Sequence, residues 1–370
     1  MSSFVSPPHL PLDILYCIAN HKIKTYERLL ALRRFALSTL SPSRQRYYQS
    51  HFITLTKRTY RKKDAQQVHC LSFNYFWHFN HRTLAAGECP NTLILHRPDG
   101  PAHIEWVQYK SDDNLYKIRE AWYNKGRLYR DDLPSEQIPP SVIEYYVNGL
   151  YSCKEWYVHG LLHRDVLVPS LEGHGKTGPA VIKQSPHGKV SCETWYVNGR
   201  IHRDGAPAYI DYYFYITENG HPDIRSIGWY NNGQLHREDG PACVAYAAGT
   251  GRIVTEKWCI NGYLHRNAGP DGETGPSVIS YNATGRVSCE EWYVEGKLHR
   301  NTLPNGNTPP SLILYHTNGT VNRKKWYYNN IPHRDDGPAF IDYAWNGIIQ
   351  DEAWYHYGQL ITNGPNSNNI

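Results

Sequence analysis

The chain repeats itself over most of its length, and the repeat decides what it can fold into. One copy runs Cys192-Glu-Thr-Trp195-Tyr196-Val-Asn198-Gly199-Arg-Ile-His202-Arg203-Asp-Gly-Ala-Pro207-Ala208-Tyr-Ile210-Asp-Tyr212, and relatives of it extend from about residue 95 to residue 362. Its Trp recurs as Trp122, Trp156, Trp195, Trp229, Trp258, Trp292, Trp326 and Trp354, in steps of 34, 39, 34, 29, 34, 34 and 28 residues. Self-similarity at such a period marks a quasi-one-dimensional stack in which each copy contacts its neighbours. An array of this kind is expected to bind a partner rather than to carry out chemistry.

Each copy holds two segments with the period of a strand. The first ends in Trp-Tyr-x before a turn signal, Asn198-Gly199, Asn232-Gly233 or Asn261-Gly262, dipeptides that accept the positive φ of a tight turn. The second is patterned small, x, branched, x, aromatic, as in Ala208-Tyr-Ile210-Asp-Tyr212, Ala242-Cys-Val244-Ala-Tyr246 and Ala339-Phe-Ile341-Asp-Tyr343. Alternate residues of a strand share a face, so these side chains form one stripe. Loops with Gly, such as Pro186-His187-Gly188 and Asn318-Gly319, then return the chain to the next Trp strand. The expected fold is mainly β, an elongated open antiparallel β-meander of two-strand repeats in which equivalent Trp residues form a ladder. A β-propeller would need about 40 to 50 residues for each four-stranded blade, more than these copies offer.

The segment ahead of the array reads differently. Leu10-Pro11-Leu-Asp13-Ile14-Leu15-Tyr-Cys-Ile18 places Pro near a helix start and apolar residues on one helical face. Tyr26 to Leu37 groups Leu29, Leu30, Leu32 and Phe35, and Ser41-Pro42 suits the start of a third helix. Residues 10–52 are therefore expected to be helical. The expected domains are a small α-helical N-terminal domain over 1–60, a basic joint and degenerate capping segment over 61–94, the array over 95–362 and a polar tail over 363–370. Residues 1–63 carry a net charge of +10 and the remainder −5. The cluster Lys57, Arg58, Arg61, Lys62, Lys63 fits a solvated joint, with nuclear import or nucleic-acid binding as the alternative. Asp13 interrupts the first apolar stretch and no basic flank precedes it, so a secretory signal is not expected. No run of 18 apolar residues is present to span a membrane as a helix. A reducing, cytoplasmic location is expected.

Gly173-His-Gly175-Lys-Thr-Gly178 imitates nucleotide-binding loops, but those need a strand before and a helix after, and Gly178-Pro179 with a short strand is expected here. The recurrent His163, His202, His236, His265, His299 and His333, with His96 ahead of them, are attractive as metal ligands. Equivalent positions in adjacent two-strand copies should lie about 10 Å apart, too far for bonds of about 2.0–2.1 Å to one ion. They are expected to be structural rings, each donating one hydrogen bond, with Tyr129 taking the slot once. The Arg after each His, as in Arg237-Glu238-Asp239 and Arg334-Asp335-Asp336, fits a loop-fixing ion pair, with anion binding as the alternative. Cys153, Cys192 and Cys289 share one slot and are too far apart for disulfides. Gly-x-Ser-x-Gly, His-Glu-x-x-His and Cys-x-x-Cys are all absent, so no catalytic constellation, metal or cofactor is expected.

The run Trp-Tyr-x-Asn-Gly-x-Leu-His-Arg-x-Asp-Gly-Pro-Ala resembles a lengthened variant of the MORN repeat, in which a Trp strand, an Asn-Gly turn and a His-Gly segment recur along a sheet of hairpins. Arg164, Arg203, Arg237, Arg266, Arg300 and Arg334 stand where that family has a Gly. The order Leu-Pro-x-Asp-Ile-Leu-x-x-Ile followed by Leu-Leu-x-Leu-Arg resembles an F-box, the helical module that docks ubiquitin-ligase receptors on a Skp-type adaptor. That likeness would make Leu10, Pro11, Ile14, Leu15 and Ile18 adaptor-binding residues. The combination resembles a protein class found in large DNA viruses of protists, which would place the chain in the host cytoplasm. The function expected is a non-enzymatic protein-recognition module, able to act as a substrate receptor. The alternatives are an assembly scaffold whose helices only cap the sheet, and a peripheral membrane-binding array, against which the array's negative charge argues. A protein partner is expected, and a small-molecule substrate, nucleic acid or membrane is not.

Overall fold

The structure, a computed structural model, describes residues 51–61, 67–78, 93–95, 100–109, 114–129, 139–164, 178–216, 222–267, 274–303 and 306–361. These residues form strands and turns and contain no helix. Leu10, Pro11, Ile14, Leu15 and Ile18, with His96, lie outside them. The chain forms two compact units: Met1–Leu162 with Val166–Lys176 and Pro186–Gly188, and His163–Asp165 with Thr177–Ser185 and Lys189–Ile370.

In the first unit the sheet starts well ahead of the repeats. His51–Arg61 pairs antiparallel with Gln67–His78 from His51↔Trp77 to Arg61↔Gln67. Gln67–His78 then pairs with Leu93–Leu95 and His103–Tyr109, and the ladder continues through Tyr116–Ala121, Val142–Tyr145 and Tyr151–Glu155. Residues 51–60 thus form a strand where the helical domain was expected to end. Ile53 and Leu55 alternate with Thr54 and Thr56, a strand period rich in β-branched residues. The cationic cluster that follows obscures that period, because charge alone does not distinguish a joint from a solvated strand.

The second unit carries the regular repeats. Its sheet runs Val181–Gln184, Val190–Thr194, Tyr209–Ile216, Pro222–Gly228, Cys243–Tyr246, Ile253–Lys257, Val278–Tyr281, Val287–Glu291, Leu312–Tyr315, Val321–Lys325, Phe340–Tyr343 and Ile349–His356. Each strand pairs antiparallel with the next. Among the described residues of this unit no pairing returns the last strand to the first, so the sheet is an open meander and not a propeller. Bulges recur just before the aromatic that ends the second strand, between Ala245 and Tyr246, Ser280 and Tyr281, Leu314 and Tyr315, and Asp342 and Tyr343. An inserted residue there bends the strand and increases its twist.

Each repeat places two strands in the sheet, as expected from its sequence, and most repeats add a small two-stranded hairpin beside it. In the repeat of Trp195, the sheet strand stops at Thr194 and the chain leaves the sheet at Trp195. Tyr196–Val197 and Arg200–Ile201 then form a separate two-stranded hairpin. The same small hairpin recurs as Tyr230–Asn231 with Gln234–Leu235, Cys259–Ile260 with Tyr263–Leu264, and Tyr293–Val294 with Lys297–Leu298. The Trp is the pivot. Trp195 N–H donates to Ala208 O at 2.8 Å, and His202 N–H closes the hairpin on Trp195 O at 3.1 Å. The small residue that receives the Trp amide is fully covered: Ala208, Ala242 and Ala339 are 0 % exposed, and Ser277 and Ser311 are 1 % exposed. The serines repay their burial with a clamp, since Ser277 Oγ donates to Tyr293 O and accepts from Tyr293 N–H, both at 3.2 Å. A buried hydroxyl without such partners would cost about 1–3 kcal/mol.

Candidate functional site

The junction between successive repeats gathers the His, Arg and Trp residues singled out in the sequence. Its starting point is the hairpin turn, in which Asn198 and Gly199 adopt φ of 48° and 78°, the pair of positive values that a type I′ turn needs. The same slot holds Lys125, His159, Glu295 and Tyr357 at φ of 48°, 52°, 49° and 43°, so the turn persists where the Asn does not. Some of the turn's amides point outward and need acceptors from elsewhere.

The preceding repeat supplies those acceptors. Gly233 N–H donates to Ile201 O at 2.8 Å, Gly262 to Leu235 O at 2.9 Å, Gly296 to Leu264 O at 2.9 Å and Gly358 to Pro332 O at 2.8 Å. The neighbouring amide goes to the histidine ring: Asn198 N–H to His163 Nδ1 at 3.1 Å, Asn232 to His202 at 3.3 Å, Asn261 to His236 at 3.2 Å, Glu295 to His265 at 3.4 Å and Tyr357 to His333 at 3.3 Å. The rings accept at Nδ1, where they were expected to donate. A neutral imidazole that accepts at Nδ1 carries its proton on Nε2. Carboxylates stand there, Asp204 at 3.1 Å from His202 and Glu238 at 3.7 Å from His236. Where Tyr129 takes the slot, its ring stacks on the turn residue His159 with centroids 5.4 Å apart.

The arginines do more than fix a loop by ion pairing. The guanidinium carbons of Arg203, Arg237, Arg266, Arg300 and Arg334 lie 4.0, 4.1, 4.1, 3.9 and 4.1 Å from the ring centroids of Trp195, Trp229, Trp258, Trp292 and Trp326. Each also donates to the carbonyl of the Pro that ends its loop, as Arg203 does to Pro207 O at 3.1 Å and Arg334 to Pro338 O at 3.2 Å. The expected ion pair is present as a third contact at Arg237 with Asp239 and Arg334 with Asp336, both 2.8 Å. A Cβ on Gly240, Gly275 or Gly337 would meet the guanidinium carbon of Arg237, Arg266 or Arg334 at 2.9, 2.6 or 2.8 Å. The Gly that precedes each of these Pro residues therefore makes room for the Arg. Trp122, Trp156, Trp195, Trp292 and Trp326 are buried, and Trp229, Trp258 and Trp354 are half-buried.

A second recurring contact was not foreseen. Tyr145, Tyr212, Tyr281 and Tyr315 donate their hydroxyls to Glu120, Glu193, Glu256 and Glu290 at 2.6, 2.8, 2.6 and 2.5 Å. Burial first, then the carboxylate bond, pushes Tyr281 up to about 12 and raises Tyr212 and Tyr315 as well. The sequence signal was a Glu two residues before Trp in the copies that also end their second strand in Tyr. The described cysteines form no disulfide, and burial pushes Cys259 up to about 11 and Cys289 up to about 12, well away from nucleophilic character. Residues 165–177, which hold most of the Gly-rich imitation of a nucleotide loop, lie outside the described residues, and the strand Val181–Gln184 follows them.

One junction brings ligand-type side chains together. His333 Nε2 and His356 Nε2 each lie 3.5 Å from Asp335 Oδ1, and the two rings meet edge to face at 5.1 Å. The expectation that ring nitrogens cannot converge applied to equivalent positions, and His356 comes from a different one, two residues after its Trp. Compared with known proteins, the chain matches no family model, no curated protein and no solved structure.

Proposed function

We propose that the chain is a non-enzymatic protein-recognition protein, with the MORN-like array as a rigid holder of loops and the F-box-like segment around Leu10, Pro11, Ile14, Leu15 and Ile18 as its attachment to a Skp-type adaptor. The observation that carries this reading is the use made of the reactive side chains. Ring after ring accepts a turn amide, and guanidinium after guanidinium covers a Trp, so the junctions stiffen the array. Loops on a rigid scaffold are where recognition sits. The longer excursions, at Asp131–Ile138, Asp165–Thr177, Asn267–Thr274 and Asn301–Thr308, all leave the chain after the same His-Arg or Tyr-Arg step, the placement expected of insertions that serve one binding side.

The experiment is co-purification of tagged full-length protein from its native cell, beside a version lacking residues 1–60 and a version whose Asp165–Thr177 loop is cut to the length used between Arg237 and Gly240. The reading expects an adaptor that is lost with residues 1–60 and a partner that is lost with the loop. Partner capture without any adaptor would favour the scaffold with a helical cap. Capture that survives shortening of all four loops would move recognition to the sheet.

A further inference from the structure

We propose that His333, Asp335 and His356 bind one divalent transition-metal ion of the zinc type at the junction between the last two described repeats. The three groups offer ligand atoms that all lie within 4.8 Å of one another. Two bonds of ~2.1 Å on a tetrahedral ion separate the bound atoms by roughly 3.4 Å. The two edges from Asp335 to the rings, 3.5 Å each, already have that length, and only the edge between the histidines must shorten. His333 is held in place, its side chain 9 % exposed and its ring stacked on Tyr357 at 4.0 Å. Asp335 and His356 face solvent, which leaves a fourth position for water. Two imidazoles with one carboxylate suit a borderline cation such as Zn²⁺ or Co²⁺.

Repeat register explains why the set is complete here. The ring and carboxylate recur as His202 with Asp204 and His236 with Glu238, whereas His265 and His299 are followed by Asn267 and Asn301. The third ligand falls at the position two residues after the Trp of the next repeat. That position is Asn231 after the His202 pair, Ile260 after the His236 pair, and His356 after the His333 pair. A bound ion would tie the loop 333–336 to the hairpin 354–361.

The proton balance identifies a reporter. His333 Nδ1 accepts from Tyr357 N–H at 3.3 Å, so the neutral ring holds its proton on Nε2. Metal takes the Nε2 lone pair, the ring proton moves to Nδ1, and the Tyr357 amide gives up its acceptor. The hairpin turn must then shift so that the Nδ1–H and the Tyr357 N–H both reach water, in exchange for a metal–nitrogen bond.

The test uses chelator-treated full-length protein titrated with Co²⁺, read by visible absorption, and with Zn²⁺, read by calorimetry. His356→Val and Asp335→Asn are run in parallel, with His187→Ala as a control outside the site. The expected result is one equivalent bound, with the Tyr357 amide resonance moved, and binding weakened at least about tenfold, ~1.4 kcal/mol, in both site variants but not in the control. Exposed His356 allows the Val variant to fold, which its metal-free melting curve checks. Absence of binding by the unaltered protein, or an affinity in His356→Val and Asp335→Asn equal to that of the unaltered protein, overturns the proposal.

Discussion

The junction after His202 and the junction after His299 are built on the same motif and end differently. At the first, Asn232 and Gly233 form the next turn, and their amides reach His202 Nδ1 and Ile201 O. At the second, the turn is Asn329-Asn330, at φ of 50° and 71°. The carbonyl bond survives, as Asn330 N–H to Leu298 O at 3.0 Å, but Asn330 Oδ1 also reaches back to accept from Leu298 N–H at 2.6 Å. His299 Nδ1 is buried with no hydrogen-bond partner, and Tyr328 meets the ring edge-on at 5.1 Å. The comparison teaches that the carbonyl bond and the Trp/Arg pair hold a junction, while the ring bond is an addition that the His299 junction forgoes.

Removing the shared pivot should have the largest effect and should not distinguish the two junctions. Trp195→Ala and Trp292→Ala are each expected to cost about 3–5 kcal/mol in urea unfolding; a much smaller loss at Trp292 would mean that its whole junction is loose, not one bond. Next come Arg203→Ala and Arg300→Ala, each expected to cost about 1–3 kcal/mol through the lost Trp stack and Pro carbonyl bond. Lysine at either site should recover little, because a compact ammonium cannot lie flat on the indole and reach the carbonyl together.

The histidines should separate the junctions. His202→Ala removes the acceptor of the exposed Asn232 amide and is expected to cost about 1 kcal/mol, whereas His299→Phe loses no bond to the next turn and should cost less. Equal losses would sink the comparison. Smaller still, Glu295→Asn should add up to about 1 kcal/mol, since Asn tolerates the left-handed backbone better than Glu; thermal unfolding of the variant checks the sign. Acidity should also act on one junction in a defined sense. Burial lowers the His299 pKa below its ordinary value, so the unfolded chain takes up the proton first and stability falls as pH drops below about 6.5. His299→Phe should flatten that part of a stability profile between pH 5 and 7.

How much of this was legible in the sequence differs from residue to residue. The Asn-Gly turns and the strand of Ala208, Ile210 and Tyr212 were readable, because positive φ and alternation are properties of neighbouring residues. The strand His51–Arg61 was missed because its alternation ends in a cluster of Lys and Arg. The hairpin that leaves the sheet at Trp195 was missed because two residues before a turn look the same whether they continue a sheet or start a new one. His356 was passed over since it occupies a slot that holds Val, Asn, Ile or Tyr in other repeats.

The sequence by itself determined an antiparallel meander of tandem repeats, its turns and its pivot residues, since these follow from a period and from the backbone preferences of adjacent side chains. Only the tertiary structure decided that Arg203, Arg237, Arg266, Arg300 and Arg334 each cover a Trp, that His163, His202, His236, His265 and His333 serve the next turn, and that His333, Asp335 and His356 converge. Those contacts depend on the offset between successive repeats. That offset joins residues 24 to 35 positions apart, as in Tyr357 with His333 and Asn198 with His163, and no pattern within a single repeat encodes it.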